Sequence, residues 1–173
     1  MSLNDLNPTL PPMLLQGKLI EDIAAIVSEA ATPSSKTLLY RSRALTPYQQ
    51  SSLSAVGLNG AEERLRPPHT LAVLIKRMRE VMYRPGVGTW FTFTLSITPE
   101  GAVDAQFNYD DEPEWSRPTE PVFYVQDLER FPRDEAHTPA WLVKQLELGR
   151  IQDSEYDAKD GPRARLTPIT EKH

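Results

Sequence analysis

The chain has 173 residues, 24 Asp and Glu against 19 Lys and Arg, and a formal charge of -5. It has no Cys and 3 His (His69, His137, His173), which excludes a disulfide framework, a thiolate nucleophile and Cys-based zinc or iron–sulfur centres, and speaks against a His-rich metal site. With 39% hydrophobic and 25% charged residues it is globular with a polar lean, one domain's length of chain burying about 70% of its unfolded surface; its acidic balance argues against nucleic-acid binding, which needs clustered Lys and Arg.

Residues 1–12, with Pro8, Pro11 and Pro12, read as a flexible lead-in without the basic start and apolar core of an export signal. Leu15, Leu19, Ile23, Ile26, Val27 and Ala30 then recur at helical spacing, with Glu21, Asp22 and Glu29 off the stripe. This predicts an amphipathic helix that packs one face on a core and stops near Thr32-Pro33. Its polar face is acidic, unlike that of a membrane-surface helix. Lys18, Glu21 and Asp22 interrupt the most apolar run, so no membrane span is expected and the cytoplasm is the expected compartment.

Lys36–Ala44 and Tyr48–Leu58 read as strands, the second weakened by its serines. Asn59-Gly60 supplies the positive φ values of a tight hairpin turn, and Glu62–Arg66 returns as a short edge strand ended by Pro67-Pro68. His69–Arg84 is the clearest helix: Leu71, Leu74, Ile75, Met78, Val81 and Met82 share one side, and Lys76, Arg77, Arg79 and Glu80 take the solvated other. Pro85-Gly86-Val87-Gly88 breaks it, a turn pair too short for a dinucleotide fingerprint.

Two strands of strict alternation follow. Phe91, Phe93, Leu95 and Ile97 oppose Trp90, Thr92, Thr94 and Ser96; Val103, Ala105, Phe107 and Tyr109 oppose Asp104, Gln106 and Asn108. Thr98-Pro99-Glu100-Gly101 suits a type I turn between them. Asp110–Pro121 is an acidic, proline-punctuated loop, Val122–Arg130 a short mixed stretch, and Phe131-Pro132-Arg133-Asp134 a turn. Thr138-Pro139 caps and starts a last helix, Ala140–Leu148. From Gly149 on the chain turns polar. The expected organisation is a lead-in over 1–12, a single α+β domain over 13–149 and a mobile charged tail over 150–173.

The densest polar cluster is Asn108-Tyr109-Asp110-Asp111-Glu112-Pro113-Glu114-Trp115; from Glu100 to Trp115 every charged residue is acidic. Such a run fits a magnesium site, a carboxylate pair for acid–base work, an acidic patch for a basic protein surface, or a solvated strand end. No second acidic motif is spaced for co-ligation, and no phosphate loop or G-x-S-x-G accompanies the cluster. Trp90, Trp115 and Trp141 could stack bases, but the basic groove such stacking needs is missing.

The strings Tyr83-Arg84-Pro85-Gly86, Gly88-Thr89-Trp90-Phe91, Phe107-Asn108-Tyr109-Asp110-Asp111-Glu112-Pro113, Phe131-Pro132-Arg133 and Pro139-x-Trp141-Leu142, in this order, resemble the YezG family of bacterial immunity proteins. The likeness covers Leu71–Leu146, and the N-terminal part in general layout. It implies an α+β fold, an antiparallel sheet with helices packed against it, and a cytoplasmic, non-enzymatic protein without cofactor or metal. It also implies a partner: the toxic C-terminal domain of a secreted polymorphic toxin, often a basic nuclease, bound without direct contact to nucleic acid or membrane. It supplies no catalytic residues.

On that reading Asp110, Asp111, Glu112, Glu114 and Trp115 are the expected partner contacts. The competing view of Asp110 and Asp111 is structural, with Tyr109 in the core and the carboxylates capping amides of the next turn. The alternatives from other classes are a metal-dependent hydrolase using Asp110 and Asp111, and an adaptor with no toxin.

Overall fold

The computed structural model describes residues 10–31 and 36–170. Its elements are α1 (Pro12–Glu29), β1 (Thr37–Leu45), β2 (Tyr48–Val56), β3 (Glu62–Leu65), α2 (Leu71–Val81), β4 (Thr92–Ile97), β5 (Val103–Asn108), α3 (Pro121–Arg130), a 3-10 turn (Glu135–His137) and α4 (Ala140–Asp160). The strands form one antiparallel sheet in the order β3-β2-β1-β4-β5, so the fold is α+β as expected.

The described residues divide into two compact units. One takes the chain up to Arg41, Ser51–Met82 and Thr94–Gln106; the other takes Ser42–Gln50, Tyr83–Phe93 and everything from Phe107 on. Strands β1, β2, β4 and β5 each contribute residues to both units.

In the first unit α1 packs on α2. The predicted stripes do the burying: Leu15, Leu19, Ile23 and Val27 from α1, and Leu71, Leu74, Ile75 and Met78 from α2. Burying a side chain of this size stabilises by roughly 1.5–3 kcal/mol. Arg79 departs from expectation, since it lies buried on the core side of α2. Pro12 also departs from expectation: it starts α1, with Pro11 extended before it, because proline's fixed φ suits a helix's first position. The rest of the expected lead-in, residues 1–9, and the expected stop at Thr32-Pro33 lie outside the described residues.

The β2–β3 and β4–β5 hairpins use the same turn. The Gly60 N–H donates to the Gly57 carbonyl and the Gly101 N–H to the Thr98 carbonyl, each at 2.9 Å, and only the glycines have positive φ (78° and 88°). Asn59 was expected to share the positive φ of Gly60; instead it stays at negative φ and its Oδ1 accepts the Ala61 N–H at 3.1 Å. A type I turn followed by one left-handed glycine closes both loops.

Strand β4 alternates as read, with Phe93, Leu95 and Ile97 buried. Two neighbours differ. Trp90, expected on the polar side, is fully buried against Phe93 and Phe107, at 5.9 and 5.7 Å between ring centroids. Val103, expected inside, is exposed, because β5 is the last strand of the sheet.

The second unit holds the largest departures. Val122–Arg130, read as a mixed stretch, lies within helix α3, which begins at Pro121. Helix α4 runs on to Asp160, past the expected end at Leu148. Gly149 does not stop it: a Cβ there would meet the Pro121 carbonyl oxygen at 2.5 Å and Val125 Cγ2 at 2.8 Å. At that glycine α4 lies too close to the start of α3 for a side chain, and the two helices pack on each other. Thr138 does not cap α4, since its hydroxyl donates to the Asp134 carbonyl at 2.7 Å.

Candidate functional site

Leu45, Phe91, Tyr124, Leu142 and Leu146 form the buried core of the second unit, with Trp115, Phe123, Val125, Leu128 and Trp141 packed against it. The strings that carry the family resemblance meet around this core. Arg133 lies over the Phe91 ring at 4.5 Å and donates to the Thr89 carbonyl at 2.7 Å. Its side chain passes so close to Gly88 that a Cβ there would sit 2.5 Å from Nε. The Asp134 N–H donates to the Gly86 carbonyl at 2.7 Å. Trp141 packs edge-on against Phe91 and Tyr124 and gives its indole N–H to the Asp110 carbonyl at 2.6 Å. The glycine pair and the F-P-R turn are thus two halves of one close approach.

The acidic loop is built on this frame. Asn108, at the end of β5, accepts the N–H groups of Asp110 and Asp111 on its Oδ1 at 3.0 and 2.9 Å and donates to the Asp111 carbonyl at 3.3 Å. Among the described residues the Asp110 and Asp111 carboxylates cap no amide of the following turn, contrary to the structural view; instead Asn108 caps the amides of Asp110 and Asp111 themselves. Pro113 is buried. The Trp115 N–H donates to the Pro113 carbonyl at 3.0 Å, and the Ser116 N–H to Gln50 Oε1 at 2.7 Å.

Trp115 was expected as an aromatic contact for a partner. It is half-buried, its ring lies on Tyr48 with centroids 5.4 Å apart, and its indole N–H donates to the Tyr124 hydroxyl at 2.9 Å. Burial pushes the Tyr124 hydroxyl up to about 12 in spite of that bond, so it stays protonated over the physiological range. Trp115 therefore supports the loop.

The side chains do the opposite of the backbone. Asp110, Asp111, Glu112 and Glu114 are all exposed. None has an ion-pair partner among the described residues. Glu112 alone takes a side-chain hydrogen bond, from Gln145 Nε2 at 3.2 Å. The loop is an array of anions on a held backbone.

No group of three or more His, Asp or Glu side chains is placed to hold a metal ion among the described residues. No described helix is long and apolar enough to cross a membrane.

The sequence reading missed the loop's fixings. Gln50, Tyr124, Trp141 and Gln145 reach it from other elements, and no local pattern announces them. Asn108 was missed too, although its type carried a signal: an Asn at a strand end can bind the backbone two residues on.

No protein-family model matches the chain, and no curated protein matches it. The likeness to the YezG immunity proteins rests on the five strings of the sequence.

Proposed function

We propose that the chain acts by binding another protein, without catalysis of its own, and that Asp110, Asp111, Glu112 and Glu114 meet a basic surface on it. The observation that carries this is the contrast inside the loop: a backbone fixed by Asn108, Trp141, Gln50 and the Trp115–Tyr124 bond, and carboxylates left unpaired. A pre-ordered loop loses little conformational freedom on docking. Uncompensated charge at its surface speeds encounter with a cationic patch and does less for the final affinity.

The partner class comes from the resemblance: a secreted toxin's C-terminal domain, in the nuclease case with a basic active site because it must hold polyphosphate. Trp115 enters this reading as the strut that keeps the carboxylates in place. The test is whether the adjacent reading frame encodes a large secreted protein with a variable C-terminal domain and, with that domain in hand, co-expression. Protection of growth and a stoichiometric complex are expected. Protection should fall in the quadruple variant Asp110→Asn, Asp111→Asn, Glu112→Gln, Glu114→Gln. Growth arrest beside a folded, abundant wild-type chain would reject the immunity reading. Full protection by the quadruple variant would move the interface off this loop.

A further inference from the structure

We infer that residues 161–170 form a releasable strap, fastened across α3 and α4 by ion pairs, which opens as a unit while the two helices stay folded. The segment has no regular structure, yet its polar groups are tied down. The Arg163 guanidinium sits between the two helices. It reaches Asp153 of α4 through Nε at 2.7 Å and Nη2 at 3.1 Å, and Glu129 of α3 through Nη1 at 3.0 Å and Nη2 at 2.7 Å. Arg165 adds bonds to Asp153 and, at 2.9 Å, to Asp157 Oδ2. The backbone follows. The Leu166 N–H donates to Glu129 Oε2 at 3.0 Å, the Ile169 N–H to the Arg130 carbonyl at 2.9 Å, and Arg130 Nη1 to the Thr167 carbonyl at 3.1 Å.

What the strap lacks is apolar burial. Among residues 161–170 only Arg163 and Ile169 are even half-buried. The α3–α4 pair beneath has the opposite character, with Val122, Tyr124, Leu142 and Leu146 buried and Gly149 close against Pro121 and Val125. Salt weakens these charged fastenings, most at the exposed Arg165 and less at the part-buried Arg163, and leaves apolar packing intact or stronger. The two layers therefore respond to different variables, which makes the strap separable. Opening leaves the carboxylates Glu129, Asp153 and Asp157 without the guanidinium groups of Arg163 and Arg165 and adds an acidic patch to the α3–α4 surface.

Acid acts in the same direction as salt. The charged groups that meet here are Glu129 and Arg130 from α3, Asp153 and Asp157 from α4, and Arg163 and Arg165 from the strap. Burial by itself would raise the Glu129 and Asp153 carboxyls. Hydrogen bonds from Arg163, joined by the Leu166 N–H on Glu129 and by Arg165 on Asp153, more than reverse it, so both titrate below their ordinary values. Carboxylates depressed by folding stabilise the closed strap fully above the ordinary carboxylate range. They lose that contribution as pH falls through the depressed values.

The experiment is residue-resolved amide hydrogen exchange on the full chain, reading Leu166 and Ile169 against Leu146 inside α4. Raising NaCl from about 0.05 M to about 1 M should speed the two strap amides by about threefold or more and leave Leu146 unchanged. Arg163→Ala should do the same at low salt, with Arg163→Lys falling between. Strap amides that ignore salt, or that lose protection only together with Leu146, would overturn the inference. The wild-type salt series stands even if the alanine variant folds poorly.

Discussion

The acidic loop Asp110–Ser116 and the strap 161–170 are both irregular, both charged and both laid against α3 and α4, but they are fastened by opposite means. In the loop neutral groups hold the backbone: the Asn108 amide, the Trp141 and Trp115 indoles and the Gln50 side chain. Its four carboxylates take no ion pair among the described residues, and Glu112 alone accepts a side-chain bond, from Gln145. In the strap the charges themselves are the fastening, with Arg163 and Arg165 against Glu129, Asp153 and Asp157, and little charge is left over. Charge that holds structure is consumed by it, so of these two segments the one held without ion pairs is free to meet a partner. The difference also sets what each segment feels. Acid and salt loosen the strap and barely touch the loop's neutral bonds.

The largest expected effect removes the support that both share. Gly149→Val places a branched side chain where even a Cβ would sit 2.5 Å from the Pro121 carbonyl oxygen, so α3 and α4 must part. Overpacking at a helix contact of this kind should cost about 3 kcal/mol, of which valine's helix propensity, slightly better than glycine's, offsets little. Thermal unfolding should show the loss, and Trp115 emission should shift as its seat on Tyr124 moves. A variant as stable as wild type would mean that the two helices slide apart freely.

Asp153→Asn should separate the two segments. It deletes the most buried anion of the ion-pair network, whose side chain is 7% exposed, and leaves Arg163 with Glu129 alone. Breaking a fully buried pair costs roughly 3–5 kcal/mol, but Arg165 is half exposed here, so about 2 kcal/mol is expected near neutral pH. The difference from wild type should shrink as pH falls through the lowered carboxyl values, because the wild-type strap then loses the same interaction. Chemical denaturation at several pH values checks it. Strap amides should lose protection while the Trp115 environment holds.

How far the sequence could be read follows from the same physics. Where an element meets one buried side and one wet side, its period survives in the residues, as in α1, α2 and β4. Helix α3 was illegible because its buried set includes Asp127, a carboxylate that accepts the Thr46 N–H and hydroxyl at 2.6 and 2.8 Å and so masks the apolar stripe. Gly149 has two meanings, helix stop and close approach, and only what lies opposite decides between them. At the candidate site the exposed acidic run could be read directly. The contacts that seat Trp115 could not, since Tyr48 and Tyr124 reach it from distant positions. Arg163 likewise finds Glu129 across 34 residues, a pairing no local pattern encodes.

A smaller effect should come from Asn108→Ala, which frees the Asp110 and Asp111 amides at an exposed site. Loss of such a cap should cost about 1 kcal/mol. If the loop is the binding element, the variant should bind its partner with a slower on-rate and a larger unfavourable entropy, because ordering is then done at docking. Calorimetric titration beside kinetics would check this. A lost cap with unchanged binding would show that loop order does not matter.

The smallest effect on stability is expected from neutralising the loop: Asp110→Asn, Asp111→Asn, Glu112→Gln and Glu114→Gln together. These side chains are exposed and hold no ion pair among the described residues, so stability should stay within about 0.5 kcal/mol of wild type. A slight gain would follow from relief of like-charge repulsion. Binding should respond very differently. If the carboxylates steer a basic partner, association should slow by about tenfold at low salt, and the salt dependence of the on-rate should flatten, while the off-rate changes less. Stopped-flow or surface kinetics at two ionic strengths would read both quantities. A steep loss of stability would show that the loop, like the strap, spends its charge on structure. Unchanged kinetics would show that its free charge serves solvation alone.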